Sequence, residues 1–244
     1  MLALLLALVN VAGILPKGAT VVETKLLPKA IKTDRMLVLW VLAPRKHCQS
    51  DWRDLWTTMC LDSTRGCYYE AVTRVSLLDT REGVLINTLS IADPDTGKDS
   101  FDVPYQVGHG GPYRIRERFG RPTLLALRDY NGDGVAAEFA LFDALTCSDL
   151  LTTLIGYVSE KDQVIQYPIH ATFEAFDHQV RVLTTSWSEN LFATNPLEPG
   201  HWRFSGDHPG SYSNPAGHIH LETEVWYRPG TQTFEEHTVE TERD

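Results

Sequence analysis

The sequence predicts an all-β or nearly all-β protein, an antiparallel β-sandwich or barrel with one or two short helices. Three observations lead to this prediction. Short runs rich in β-branched and aromatic residues recur along the chain, Gly, Pro, Asn and Asp separate them, and helical periodicity is weak. The runs occupy positions 35–43, 71–78, 84–91, 123–128, 154–158, 163–169, 180–187 and 219–227.

The runs differ in how their two faces are expected to be buried. In the second run, Val75 and Leu77 alternate with Arg74 and Ser76, which predicts a strand with one face on the core and the other in water. The run 35–43 is apolar at almost every position, which predicts a central strand covered on both faces. Two short helices are predicted outside the runs, at 49–59 and 144–151.

Length and composition indicate the size of the domain, and the net charge disfavours two classes of partner. With 244 residues, 43% of them hydrophobic, the chain can form one domain with a sizeable core, predicted at 14–234. An acidic tail at 235–244 is expected to fray. The net charge of −10 argues against binding to nucleic acid and against electrostatic docking on anionic lipid.

The first thirteen residues, MLALLLALVNVAG, resemble the apolar region of a secretory signal. They are too few to span a bilayer, which takes about 20 residues. None of the thirteen residues is basic, although a secretory signal usually begins with a basic stretch. We expect export, to the periplasm or the medium, with no stable membrane span. The alternative is an ordinary apolar N-terminus that is buried as a strand.

The cysteines also suit an exported protein. Cys48, Cys60, Cys67 and Cys147 form no CxxC pair, so a zinc ribbon or a thioredoxin-like site is not indicated. An even number of cysteines in an exported chain predicts two disulfides, with three possible connectivities. The alternative is four reduced cysteines in the core.

The segment 129–138 has the spacing of oxygen atoms that is typical of calcium loops. Asp129, Asn131 and Asp133 stand at positions 1, 3 and 5, Gly134 stands at position 6, and the carbonyl of Val135 stands at position 7. Side chains at alternate positions can curl around one point, and Gly permits the sharp turn that follows. The sequence therefore predicts a calcium site.

The pattern departs from an EF-hand after this point. Position 12, where an EF-hand has a bidentate Glu, is Ala140. Glu138, at position 10, is the expected closing ligand, directly or through water. The flanking runs read as strands rather than helices, so we expect a structural calcium site in a β context. The alternative is a metal-free hairpin turn, because Asn-Gly and Asp-Gly are strong turn dipeptides.

Five segments in and around the loop carry a resemblance to known proteins: 64–66 (TRG), 73–77 (TRVSL), 129–142, 155–157 (IGY) and 166–168 (QYP). In these segments the chain resembles a group of uncharacterised secreted bacterial proteins that carry a single EF-hand-like DxNxDG loop. The resemblance implies export and a β-rich calcium domain, and it implies no activity. It also implies a disulfide between Cys60 and Cys147, which leaves Cys48 and Cys67 as the second pair.

Three functions remain in view. The first is an exported, calcium-stabilised module with a non-catalytic binding or structural role toward an unknown extracellular ligand or protein. The second is a secreted hydrolase whose acidic catalytic residues are unrecognised. The third is a cupin-like metal enzyme that uses His218 and His220, which share one face of a predicted strand with Glu222 and Glu224. A cupin needs a second motif with another His, and His237 alone follows, so a solvated strand face is the preferred interpretation.

Overall fold

A computed structural model describes residues 11–29, 31–32, 34–48, 67–91, 124–144, 150–174, 180–183, 196–209 and 218–243. These residues form one four-residue helix, α1 (Val11–Ile14), and otherwise strands, turns and extended segments, which confirms the predicted fold class. The strands are β1 (Ala19–Leu26), β2 (Arg35–Cys48), β3 (Cys67–Asp79), β4 (Val84–Ile91), β5 (Glu138–Ala144), β6 (Leu150–Val158), β7 (Gln163–Gln166), β8 (Ile169–Glu174), β9 (Val180–Leu183), β10 (His201–Pro209), β11 (His218–Arg228) and β12 (Thr233–Arg243).

The strands form three sheets. The first sheet has the order β1-β2-β3-β4, and the middle sheet has the order β5-β6-β7. The third sheet has the order β10-β11-β12-β8-β9. Neighbouring strands of the described residues run antiparallel, except that β12 and β8 are parallel. Within each sheet, most strands that follow one another in the chain pair directly, and this local pairing accounts for the mainly antiparallel arrangement.

The middle sheet is buried on both faces. On one face, Phe139 and Ile155 pack with the apolar side chains of the first sheet. On the other face, Leu154 and Val158 pack with Trp202 and other side chains of the third sheet. Because successive side chains of a strand point to opposite faces, the apolar stretches of β5 and β6 can serve two cores at once. The result is a sandwich of three layers.

Strand β2 is the central strand that its composition predicts. It lies between β1 and β3 in the first sheet. Leu37 and Leu39 face the core shared with the middle sheet. Val38 and Trp40 face the opposite side, where Leu15, which follows α1, packs against them. All four of these β2 side chains are at most 4% exposed, so the prediction of burial on both faces is confirmed.

The predicted strand at 123–128 is wrong. In the described part of this run, 124–128, the chain makes a single β-bridge, from Arg128 to Glu138. The N–H groups of Leu124 and Leu125 donate to the carboxylate of Glu23 at 2.6 and 3.3 Å. A side chain thus takes the place of a neighbouring strand. Leu125 is fully buried, and this burial explains the apolar pattern without a strand.

Three further predictions need correction. The face of β3 that was predicted to lie in water is covered at Ser76, which is fully buried and accepts a hydrogen bond from the Trp40 ring N–H at 2.8 Å. The predicted helix at 144–151 is wrong at its described positions, because Ala144 ends β5, Leu150 begins β6, and the two residues pair across the hairpin. The prediction that the tail 235–244 frays is also wrong, since its described residues, 235–243, lie in β12 and pair with β11 throughout. Phe234 and Thr238 are buried, and their packing holds this acidic strand in the sheet. The other predicted helix, at 49–59, lies outside the described residues.

Polar contacts join the first sheet to the middle sheet. The Arg35 guanidinium donates to Asp79 at 2.7 Å and to Asp162, in the turn between β6 and β7, at 2.7 Å. Two residues after Asp162, the Val164 carbonyl accepts from the Asn87 side chain at 2.8 Å, and the Val164 N–H donates to the same side chain at 3.1 Å. The Asn87 amide thereby makes the two hydrogen bonds that the backbone of a neighbouring strand would make.

Candidate calcium loop

The segment 129–134 is a compact loop closed by a pair of backbone hydrogen bonds. The Arg128 N–H donates to the Glu138 carbonyl at 2.7 Å, and the Glu138 N–H donates to the Arg128 carbonyl at 3.0 Å. Within the loop, Gly132 and Gly134 have φ angles of +76° and +86°. Residues with a side chain rarely adopt this left-handed region, so the two glycines allow the loop to curl.

The side-chain oxygens of the loop face its own backbone. The two carboxylate oxygens of Asp129 accept from the N–H groups of Gly132 and Gly134 at 2.7 and 2.9 Å. The side-chain oxygen of Asn131 accepts from the Asp133 N–H at 2.9 Å. Such local bonds are typical of Asp and Asn in turns. They direct the oxygens of positions 1 and 3 into the loop.

Glu138 brings a third carboxylate into the loop from the first position of β5. Its side chain is fully buried. One of its oxygens accepts from the Tyr130 N–H at 2.9 Å, and the other accepts from the Asn131 side-chain nitrogen at 3.2 Å. The same nitrogen donates to Asp133 at 3.2 Å. The carboxylates of Asp133 and Glu138 therefore converge on one amide group, which carries only a partial positive charge.

The surroundings of Glu138 disfavour its negative charge. Burial raises the pKa of Glu138 to about 8, and the nearby charges of Asp133 and Asp129 add to the increase. The N–H of Tyr130 opposes the increase, because it donates to the carboxylate. A positive ion at this point would favour the ionised carboxylate, since an opposite charge lowers the pKa of an acid.

The space around Glu138 depends on Gly156. Gly156 lies directly opposite Glu138 in the pairing of β5 with β6. A Cβ atom at Gly156 would lie 2.7 Å from Cγ of Glu138 and 2.7 Å from the ring of Tyr167. Gly156 lies on β6, and Tyr167 directly follows β7. Their position beside Glu138 could not be read from the sequence, because it follows from strand register.

The loop also lies against the turn that precedes β10. A Cβ atom at Gly132 would lie 2.4 Å from the carbonyl carbon of Pro199, and one at Gly200 would lie 2.7 Å from the Asn131 carbonyl oxygen. The two backbones are therefore in direct contact. Tyr130, also in the loop, is buried with its ring 6.2 Å from that of Trp202. The loop thus joins the middle sheet to the third sheet.

The loop collects four of the five predicted ligands but does not arrange them around one point. The carbonyl of Val135, the fifth, accepts from the Ala137 N–H at 2.9 Å. Among the described residues, no three His, Cys, Asp or Glu side chains are grouped so that they could hold an ion. The Asn131 amide lies between Asp133 and Glu138 instead. Binding of an ion therefore requires this amide to turn.

The predicted polar face of β11 lies on the outer side of the third sheet. The strand buries Val225 on its inner face, while the side chains of Glu222 and Glu224 on the outer face are 60% and 39% exposed. His220 is 9% exposed, with its ring nitrogen 3.8 Å from Glu222. The side chain of His218 lies outside the described set. The predicted solvated face is therefore present at Glu222 and Glu224, whereas His220, which was expected on that face, is buried.

The imidazole of His201 lies on the same face, and no pattern in the sequence marks it. The two ring nitrogens of His201, on β10, lie 3.3 Å from Glu198 and 2.8 Å from Glu224. The contact with Glu224 crosses from β10 to β11, so only the register of the two strands reveals it. These are hydrogen-bonded pairs on a partly exposed surface.

The cysteine predictions are only partly within the described residues. The pairing of β2 with β3 places Cys48 directly opposite Cys67. Cys60 and Cys147 lie outside the described residues.

Near the N-terminus, Val11 and Ile14 pack beside Leu15 against the outer face of the first sheet. In the described part of the chain, no helix has the length and apolar character needed to cross a membrane.

Comparison with models of known protein families, with curated proteins and with solved structures finds no match to this chain. Function must therefore be inferred from the geometry of the loop and its surroundings.

Proposed function

We propose that this chain is an exported β-sheet module with a structural calcium ion in the loop 129–138 and a non-catalytic binding or structural role. The observation that carries the proposal is the convergence of Asp133 and the fully buried Glu138 on the side-chain nitrogen of Asn131. Ionising Glu138 would place a second negative charge beside Asp133, and a divalent cation at that point would offset the repulsion between them.

The donors of the loop suit calcium, which prefers six to eight oxygen ligands. Asp129, Asn131, Asp133 and Glu138 supply side-chain oxygens, and Val135 supplies its carbonyl. Each carboxylate oxygen can accept more than one hydrogen bond or metal bond, so the existing bonds of Asp129 to the backbone do not prevent coordination. Asn131 would turn its amide so that oxygen replaces nitrogen. Calcium, when bound, supplies the positive charge that the Asn131 amide now supplies in part.

The position of the loop supports a structural role over a catalytic one. A strongly raised pKa in a carboxyl group is often a sign of acid–base chemistry. Glu138, however, has no exposed surface through which it could reach a substrate. Burial is the main cause of its raised pKa, and the same burial argues against an acid–base role for this carboxyl group. The ion would brace the junction where Tyr130 packs with Trp202, between the middle and third sheets.

Thermal unfolding in calcium and in chelator tests the proposal. With a dissociation constant of roughly 0.1 mM, calcium at about a hundredfold excess stabilises the fold by about 2.7 kcal/mol. For a chain of this size, this corresponds to an increase of about 5–10 °C in the unfolding midpoint. Asp133→Ala should remove most of the increase, whereas Glu82→Ala, at an exposed turn between β3 and β4, should keep it. Equal midpoints for the unmodified protein in calcium and in chelator would refute the calcium site.

The proposed module carries two disulfides, Cys48–Cys67 and Cys60–Cys147. The register of β2 and β3 supports the first pair. Directly opposed residues in antiparallel strands have Cα atoms about 4.5–5.5 Å apart. This range lies within the Cα separations of about 4.4–6.8 Å that disulfides span. The resemblance supports the second pair. Two disulfides fit a protein outside the reducing cytosol, where its partner would be an extracellular ligand or protein.

A further inference from the structure

We propose that the calcium loop controls the attachment of β10, so that loss of calcium releases the segment 196–209 from the third sheet before the rest of the fold opens. This inference rests on the proposed calcium site. It adds a conformational response that a simple stabilising ion would not produce.

The attachment begins with contact between two backbones. Gly132 of the loop and Gly200 of the turn before β10 approach so closely that neither position has room for a Cβ atom. The Gly200 carbonyl also accepts from the Tyr227 N–H at 2.8 Å, which ties the turn to β11. A change in the path of the loop at Asn131 or Gly132 therefore acts directly on the turn.

The inner face of β10 also depends on the loop. Trp202, the second residue of β10, is 1% exposed. Its ring lies 6.2 Å from Tyr130, which follows the first predicted ligand in the chain, and 6.4 Å from Phe234 on β12. Because part of the wall around Trp202 comes from the loop itself, a rearranged loop would remove one side of its packing.

The position of β10 in the sheet makes separate release possible. β10 is an edge strand, bonded to β11 and to no second strand of the described residues. Edge elements with few neighbours open at lower free energy than central strands. On its outer face, His201 bonds to Glu224 at 2.8 Å. Release of β10 would break this pair and change the polar face of the third sheet, so calcium would be coupled to that surface.

Hydrogen exchange followed by mass spectrometry tests the coupling on the full chain. We expect chelator to raise exchange about tenfold or more in peptides from β10, with less than about a twofold change in peptides from β2 and β3. Gly200→Ala should push the turn before β10 away from the loop, because a φ of +74° and the contact with Asn131 disfavour a side chain at this position. In this variant, β10 should exchange fast with calcium as well. Gly206→Ala, on β10 with no atom near its added Cβ, is the matched control and should behave as the unmodified protein.

The same experiment separates failure of the coupling from failure of the site. Calcium binding by titration calorimetry, together with an equal effect of chelator on β10, β2 and β3, would overturn the coupling and leave the site intact. No heat of calcium binding and no change in exchange would overturn both.

Discussion

The carboxyl group of Glu236 gives the fold a pH dependence that can be measured. Glu236 lies on β12 between Phe234 and Thr238, two residues from each, and both of these side chains are buried. Alternation along the strand places its side chain on the same face as theirs. Its carboxylate accepts from the Thr238 hydroxyl at 3.4 Å. Burial raises the pKa of Glu236 to about 7, with the Thr238 bond opposing the increase.

A raised pKa in an acid means that the folded state holds its proton more tightly than the unfolded chain. The stabilisation by the protonated carboxyl is therefore complete below the unfolded pKa of about 4.5, and it is lost as the pH rises through about 7. The difference between the two pKa values, at 1.36 kcal/mol for each unit, corresponds to about 3 kcal/mol. Glu236 keeps some contact with solvent, so this value is an upper limit.

Glu236→Gln keeps the shape of the side chain and removes the titration. In guanidinium unfolding with chelator, we expect the variant to resemble the unmodified protein near pH 4.5 and to be up to about 3 kcal/mol more stable at pH 8. Glu222→Gln makes the same chemical change on the outer face, where the side chain is 60% exposed, and should follow the unmodified protein. A difference between Glu236→Gln and the unmodified protein that does not change with pH would refute the reasoning.

Three further predictions concern contacts that join strands and sheets. Arg35→Met should lower the free energy of unfolding by about 1.5–3 kcal/mol in denaturant titrations at pH 7, because Asp79 and Asp162 would lose a charged hydrogen-bond donor, while Asp162 keeps its contact with Lys32; a loss under 1 kcal/mol would contradict this. Asn87→Asp should cost about 1–3 kcal/mol, since it removes the donor to the Val164 carbonyl, and an unchanged thermal midpoint would count against it. In non-reducing peptide mapping, the peptides of Cys48 and Cys67 should appear joined, and two alkylated thiols in the native protein would end that assignment.

The sequence predicted best those features that depend on one segment alone. The run 84–91 became β4 at the same bounds, and the two-sided apolar character of 35–43 correctly predicted a central strand. The strand predicted at 123–128 failed because the carboxylate of Glu23, about a hundred residues earlier in the chain, takes the place of a neighbouring strand. Contacts of this kind depend on how sheets stack, and local patterns of residues do not contain that information.

In the candidate site, too, features of a single segment could be predicted from the sequence, and contacts between distant segments could not. The spacing of Asp129, Asn131 and Asp133 predicted side-chain oxygens gathered around one point. In the structure, the oxygens of Asp129 and Asn131 accept hydrogen bonds from the loop backbone, and the calcium site stays a prediction. The contact of Gly156 with Glu138 and that of Gly200 with Asn131 come from strand register and from the meeting of two sheets. Neither could be predicted, although both decide what the loop can do.

The burial of Glu138 bears on the two interpretations of this loop that the sequence left open. A metal-free turn built on Asn-Gly and Asp-Gly needs no carboxylate beyond its own, and a Glu just after it could stay in water. Here the third carboxylate is buried beside two others, where desolvation and repulsion raise its pKa to about 8. Placing an acid in such a position costs folding free energy in neutral solution, because the unfolded chain releases the proton more readily. A divalent cation would reverse that cost, since ionised oxygens are its preferred ligands. Asp133→Ala in the presence and absence of calcium is therefore the comparison that decides between a calcium loop and a bare turn.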